Sequence, residues 1–156
     1  MLKPVKFCIN AALMMLMISG CSAERHEHAA GSRSIHPLGC PESPNCVSTE
    51  ATDKRHKIDV FGLKGDFSKN WTEIQRVVAA LPQSTIAKAD DTYLKATFKS
   101  RVYRFIDDLE LFLNPSSGII AIRSAARSGY WDFGVNRRRV EQLRQELQAR
   151  DLINQP

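Results

Sequence analysis

The chain has four histidines, at 26, 28, 36 and 56, and none in the hundred residues that follow. It holds no His-Glu-x-x-His pair and no glycine-rich loop running into Gly-Lys. A zinc-hydrolase helix and a nucleotide-type phosphate loop are therefore not written into it. Ser100, Ser124 and Ser128 all lie far downstream of His56, so a serine–histidine–carboxylate triad has poor material. No apolar run approaches the about 20 residues that a membrane-spanning helix needs. The longest, residues 7–18, is broken by Asn10. Cysteine is scarce as well, with four residues in 156, and no internal repeat is evident.

What the chain does have begins at its start. Lys3 and Lys6 precede the apolar stretch 7–18, and Ile18-Ser19-Gly20-Cys21 follows at once. This resembles the lipobox read by the bacterial lipoprotein signal peptidase. Residues 1–20 then form a secretory leader, and Cys21, carrying lipid, becomes the first residue of the mature protein. The alternative is an uncleaved membrane anchor with a chance cysteine. Several acyl chains on Cys21 give stable anchoring where a single chain does not. The expected location is the cell envelope. Ser22, rather than Asp, at the second mature position resembles enterobacterial lipoproteins sent to the outer membrane, which in a Gram-negative organism implies an outer-membrane location facing the periplasm. Removing Lys3 and Lys6 takes the formal charge from +5 to +3. A balance this modest, outside the cytoplasm, does not call for nucleic acid as a partner.

The cysteines agree with export. Cys8 leaves with the leader and Cys21 is lipidated, which leaves Cys40 and Cys46. An isolated pair in an oxidising compartment reads as a disulfide. A loop this small contributes roughly 2–2.5 kcal/mol in the chain-entropy account. The rival reading, half of a metal site, lacks a second close ligand pair. No metal and no cofactor is called for.

Residues 21–38, rich in Ser, Ala, His and charge, read as a tether, and 39–152 as a single domain. Its histidines 26, 28 and 36 read as solvated tether residues before a weak metal site. Pro41 and Pro44 make 40–46 a rigid turn. Residues 47–66 are mixed and polar, with a short strand expected at 58–61. Trp71, Ile74, Val78 and Leu81 form one helical stripe, with Ser68 as its expected cap and Pro82 ending it. Period-two runs follow at 85–89, 93–98, 104–113 and 119–125, with Asn114–Gly118 a strong turn. Val140, Leu143 and Leu147 then predict a terminal helix over 137–150, with Asn136 as N-cap. Helix, hairpin-linked strands and helix predict a two-layer α+β domain. Its antiparallel sheet would have about four to five strands, with two helices packed on one face.

Three segments depart from ordinary patterning. A Cys-Pro-x-Ser-Pro-Asn-Cys-Val-Ser opening lies at 40–48, and a Phe-x-Asp-Asp-x-Glu strand at 105–110. An Arg-Ser-Ala-x-Arg-x-Gly-Tyr-x-Asp-x-Gly-x-Asn-Arg-x-Arg block covers 123–139. On these three motifs, in this order, the chain resembles the bacterial domain-of-unknown-function family 1499 (DUF1499) over about 40–150. Ala126 and Trp131 depart from the pattern, where serines are expected. The resemblance implies no established activity, and the family's lipoprotein and membrane-linked members fit the address.

The residues themselves say more. Arg137, Arg138 and Arg139 sit in the first turn of the terminal helix, whose end already carries partial positive charge. Asp107, Asp108, Glu110 and Asp132 are the candidates to offset them, which gives a structural ion-pair network. A second reading is a site in which Arg123, Arg127 and Arg137, with Ser124, Asn136 and the free N–H groups of the helix start, hold an anion. Gly129 and Gly134 would allow close approach, or would simply be turn glycines. Tyr130, Trp131 and Phe133 add aromatic surface that could stack a sugar, touch a membrane or pack over the sheet edge. A third reading is a hydrolase of an envelope polymer, with Asp107 or Asp132 as general acid or base. Asp107 and Asp108 point to opposite faces of a strand and cannot form a catalytic pair. The expectation is a lipid-anchored, non-catalytic binding or assembly module. Its partners are the membrane, through the anchor, and an envelope protein, a glycan or a lipid headgroup at the arginine-rich surface.

Overall fold

The computed structural model describes residues 38–154. The leader, Cys21 and the histidines at 26, 28 and 36 lie outside the described residues. So does the expected tether except Leu38, which is fully buried.

The chain runs β1 (Cys46–Ser48), β2 (Phe61–Gly62), α1 (Phe67–Ala80), β3 (Ser84–Ala89), β4 (Tyr93–Lys99), β5 (Ile106–Asn114), β6 (Ile119–Ala126) and α2 (Val135–Ala149). The sheet order is β1-β6-β5-β4-β3, with β2 also paired to β6, and every pairing is antiparallel. This is an α+β fold with six strands rather than four or five. The addition is β1, three residues long and too short for a period of two to show, while the strand expected at 58–61 is found as the two-residue β2 at Phe61–Gly62.

One apolar core joins both helices to the sheet. Trp71, Ile74, Val77 and Val78 of α1 and Val140, Leu143 and Leu147 of α2 meet Leu94, Ala96 and Phe98 of β4. Leu109, Leu111 and Leu113 of β5, with Ile120 and Ile122 of β6, complete it. Each strand contributes alternate residues, as the pleat requires.

Three local expectations are corrected. Asp66, not Ser68, caps α1 by accepting from Lys69 N (3.0 Å), because Phe67 already enters the helix. At the other end Leu81 is extended, as a residue before proline must be. The strand expected at 104–113 begins at Ile106, because Arg104 takes a left-handed conformation (φ 55°). Asn136 does not cap α2: the helix starts at Val135 behind Gly134, whose φ is 76°, and Asn136 is buried in the first turn. Cys40 and Cys46 are joined in a disulfide. Among the described residues no helix is long and apolar enough to cross a membrane.

Candidate functional site

The acidic strand divides its charges between two faces. In β5, Asp107 stands on the helix-covered side opposite Phe98 and Ala126, in line with Leu109, Leu111 and Leu113. Asp108 and Glu110 stand on the other side, Glu110 between Lys95 of β4 and Arg123 of β6.

On the helix side the partner of Asp107 is Arg139. Its Nη2 donates to Asp107 Oδ2 (2.6 Å), and the two side chains are 11% and 13% exposed. Arg139 Nη1 donates to Asn136 Oδ1 (2.6 Å) and Ser124 Oγ (3.1 Å), and its guanidinium lies 4.4 Å from the Phe98 ring centroid. Ser124 Oγ also donates to Asn136 Oδ1 (2.6 Å). Asn136 Nδ2 donates to the Asn45 carbonyl (3.1 Å) and to Asp132 Oδ2 (3.0 Å). Asp132 further accepts from the backbone N–H groups of Gly134 (2.8 Å) and Asn136 (2.9 Å). Asp132 therefore satisfies the helix start in the way expected of Asn136, and a carboxylate there also suits the positive end of the helix. Asn45, buried beside the disulfide, donates through Nδ2 to the Gly129 carbonyl and accepts at its own carbonyl from Ala126 N (3.0 Å). The Cys40–Cys46 turn, β6 and α2 are thus tied through side-chain amides.

On the open face the charges form a ladder. Glu110 is held by Arg123 Nη1 (3.3 Å), by the Tyr93 hydroxyl (2.7 Å) and, at 3.9 Å, by Lys95 Nζ. Arg123 Nε also donates to the Gly39 carbonyl (3.1 Å). Arg127 forks onto Asp108, with Nη2 at 2.8 Å and Nε at 3.1 Å from Oδ1, while Lys95 lies 3.4 Å from Oδ2. Burial pushes the Asp108 carboxyl up. The Arg127 hydrogen bonds and the Lys95 and Arg127 charges outweigh it, so the group rests below the usual carboxylate range. The same pairing raises Arg127. A carboxyl lowered on folding adds stability above its unfolded pKa, and that stability is lost as pH falls through the folded value. Asp108→Asn is expected to lower the urea midpoint at neutral pH. The gap from wild type should close as pH drops below the ordinary carboxylate range. A gap that stays constant across that range would disprove the pairing.

The structure separates the three arginines read as an anion cage. Arg123 and Arg127 pair with acids on the open face. Arg137 donates to the carbonyls of Lys57 (2.9 Å) and Arg55 (2.8 Å), on the helix side. Arg138 donates to the Phe133 carbonyl (2.7 Å). The cost of cations at a helix start is therefore met by one carboxylate and several carbonyls. Gly129 and Gly134 both have positive φ, and no atom crowds a Cβ built on Gly129, which is what turn glycines require. Of this network, Arg139 is read above only as one of three cations in the first turn of the helix, with no particular partner, and Asn45 is given no role. A signal for Arg139 was present: it lies four residues before Leu143, on the buried stripe. Asn45 carried none beyond its place in the Cys-Pro-Glu-Ser-Pro-Asn-Cys turn.

Beside the Asp107–Arg139 pair lies a groove of about 270 Å³, walled by Leu81, Gln83, Phe98, Ser100, Val135 and Gln142. Its surroundings expose Val102, Tyr103 and Phe105 on one loop and Tyr130, Trp131 and Phe133 on another. Trp131, one of the two departures noted above, stands 65% exposed with its ring edge-on to Tyr130. Ala126, the other, faces Asp107 across the β5–β6 pair. No group of three or more His, Cys, Asp or Glu among the described residues is placed to hold a metal.

Fold and site together define a small two-layer α+β domain whose sheet carries one ion-paired cluster on each face and ends in two aromatic loops. A family model described as "Protein of unknown function (DUF1499)" matches residues 38–147, and the chain belongs to this family. No curated protein and no solved structure matches it.

Proposed function

We propose that the protein is a lipid-anchored component of the cell envelope, attached through Cys21, that acts as a non-catalytic binding or assembly module. The observation that carries the binding role is how the charged motif is used. Asp107, Asp108 and Glu110 each lie against arginine, and Asp132 is taken up by the start of α2. A hydrolase needs carboxyl groups free to exchange protons with a substrate. Here Asp107 and Asp132 hold α2 to the sheet, Asp108 and Glu110 are paired across the open face, and the chemistry left facing outward is aromatic and cationic. The anchor is supported by the leader pattern and by the small residues before Cys21.

The test of the address is acylation in the native host. Wild-type protein is expected to take up an alkynyl palmitate analogue and to run as the shorter, processed chain. Cys21→Ser should lose the label and keep the leader. Equal length and equal labelling of the two would overturn the reading.

A further inference from the structure

We infer that residues 99–105 and 130–135 form one membrane-docking surface, which lies against an anionic phospholipid bilayer. This rests on the lipid-anchored reading and names the partner of the exposed end.

The two loops belong to the same end of the sheet. The first joins β4 to β5 and the second joins β6 to α2. Arg127 N donates to the Ile106 carbonyl (2.9 Å) where they meet. Nine large hydrophobic residues are exposed among the described residues, and seven of them sit in these loops. Isolated exposed apolar side chains are ordinary, but a cluster of this size marks a surface that something covers. Phe133 is the sharpest case. It is 86% exposed and in a left-handed conformation (φ 53°), unusual for a bulky residue, and its carbonyl is fixed by Arg138. Its ring is held out, and packing does not account for it.

Charge selects the occupant. Lys99, Arg101 and Arg104 are exposed and alternate with Val102, Tyr103 and Phe105, and no acid occurs from 99 through 105. Asp132, the sole carboxylate in 127–135, is turned inward onto Gly134 and Asn136. Interleaved rings and cations match the boundary of an anionic bilayer. Indole and phenol rings settle at headgroup depth there, and guanidinium groups meet phosphates. The route of the chain agrees. Cys40 is fastened to Cys46, which pairs with Ala125 at this same end of β6. Cys21 precedes Cys40 by 19 positions in the sequence, so the lipid-bearing residue and the disulfide turn are near each other along the chain.

The two tryptophans provide the probe, since Trp71 is 3% exposed and Trp131 is at the surface. Full-length protein is reconstituted into phosphatidylcholine vesicles with or without phosphatidylglycerol, made with and without lipids brominated near the headgroup. With phosphatidylglycerol, bromination is expected to remove about half of the emission, the share of one exposed indole in two. Trp131→Phe should abolish that quenching. Neutralising two cations (Arg101→Gln with Arg104→Gln) should weaken docking about 25-fold and return emission to its level in neutral vesicles. Emission untouched by bromination overturns the proposal. So does quenching indifferent to both phosphatidylglycerol and the two arginines, which would mean that the charged loops do not select an anionic bilayer. The mass of the Cys21 peptide from the same sample reports acylation separately, so an unlipidated but quenched protein condemns the anchor and not the docking surface.

Discussion

Arg139→Ala is expected to lower the melting temperature by roughly 10–20 °C, the equivalent of about 3–5 kcal/mol for breaking a buried ion pair. The substitution leaves the Asp107 carboxylate at the base of the helix layer with its arginine gone. It also takes a donor from Asn136 Oδ1 and Ser124 Oγ and uncovers the Phe98 ring. A buried charge without its partner costs far more than the intact pair contributes. That asymmetry supplies the control: Asp107→Leu with Arg139→Met removes both charges and should recover most of the loss. Thermal melts and urea titrations of the three proteins decide it. If Arg139→Ala melts within two or three degrees of wild type, the pair does not lock helix to sheet.

Asn136→Ala should cost about 3 kcal/mol, read from urea unfolding, since each buried polar group left without a partner costs about 1–3 kcal/mol. The amide links Asn45, Asp132, Ser124 and Arg139 from a position with no exposure. Asn136→Asp should be at least as damaging, because a carboxylate would face the Asp132 carboxylate and the Asn45 carbonyl. Hydrogen exchange should quicken at Gly134 and Asn136 and along 127–133, while β4 and β5 keep their protection. Asn136→Ala combined with Arg139→Ala should fall short of the sum of the single losses, because the two residues share a hydrogen bond. Strict additivity would mean that they act separately.

Both predictions concern residues whose importance the sequence half discloses. Asp107 stood out as an acid on an apolar strand face, and the pleat puts it under the helices. That an arginine had to meet it followed from charge. Which arginine did not follow: four lie in 123–138 besides Arg139, and helix phase alone selects Arg139. Arg123 and Arg127 are the first and fifth residues of the same motif, but strand alternation sends them to the opposite face. Asn136 has the composition of a cap and serves instead as a buried crosslink, because Gly134 turns the chain two residues earlier and Asp132 reaches the free N–H groups first.

The sequence by itself determined the family, the α+β class, the four main strands, both helices and the cysteine pair. Those depend on periodicity, turn residues and motif order, which act over a few residues at a time. Tertiary structure alone decided that β1 joins the sheet, that the charged motif splits into two clusters, and that loops about thirty residues apart form one exposed aromatic end. Those outcomes rest on cross-strand register and helix phase. Chemically equivalent arginines differ there only in the direction in which the folded backbone points them.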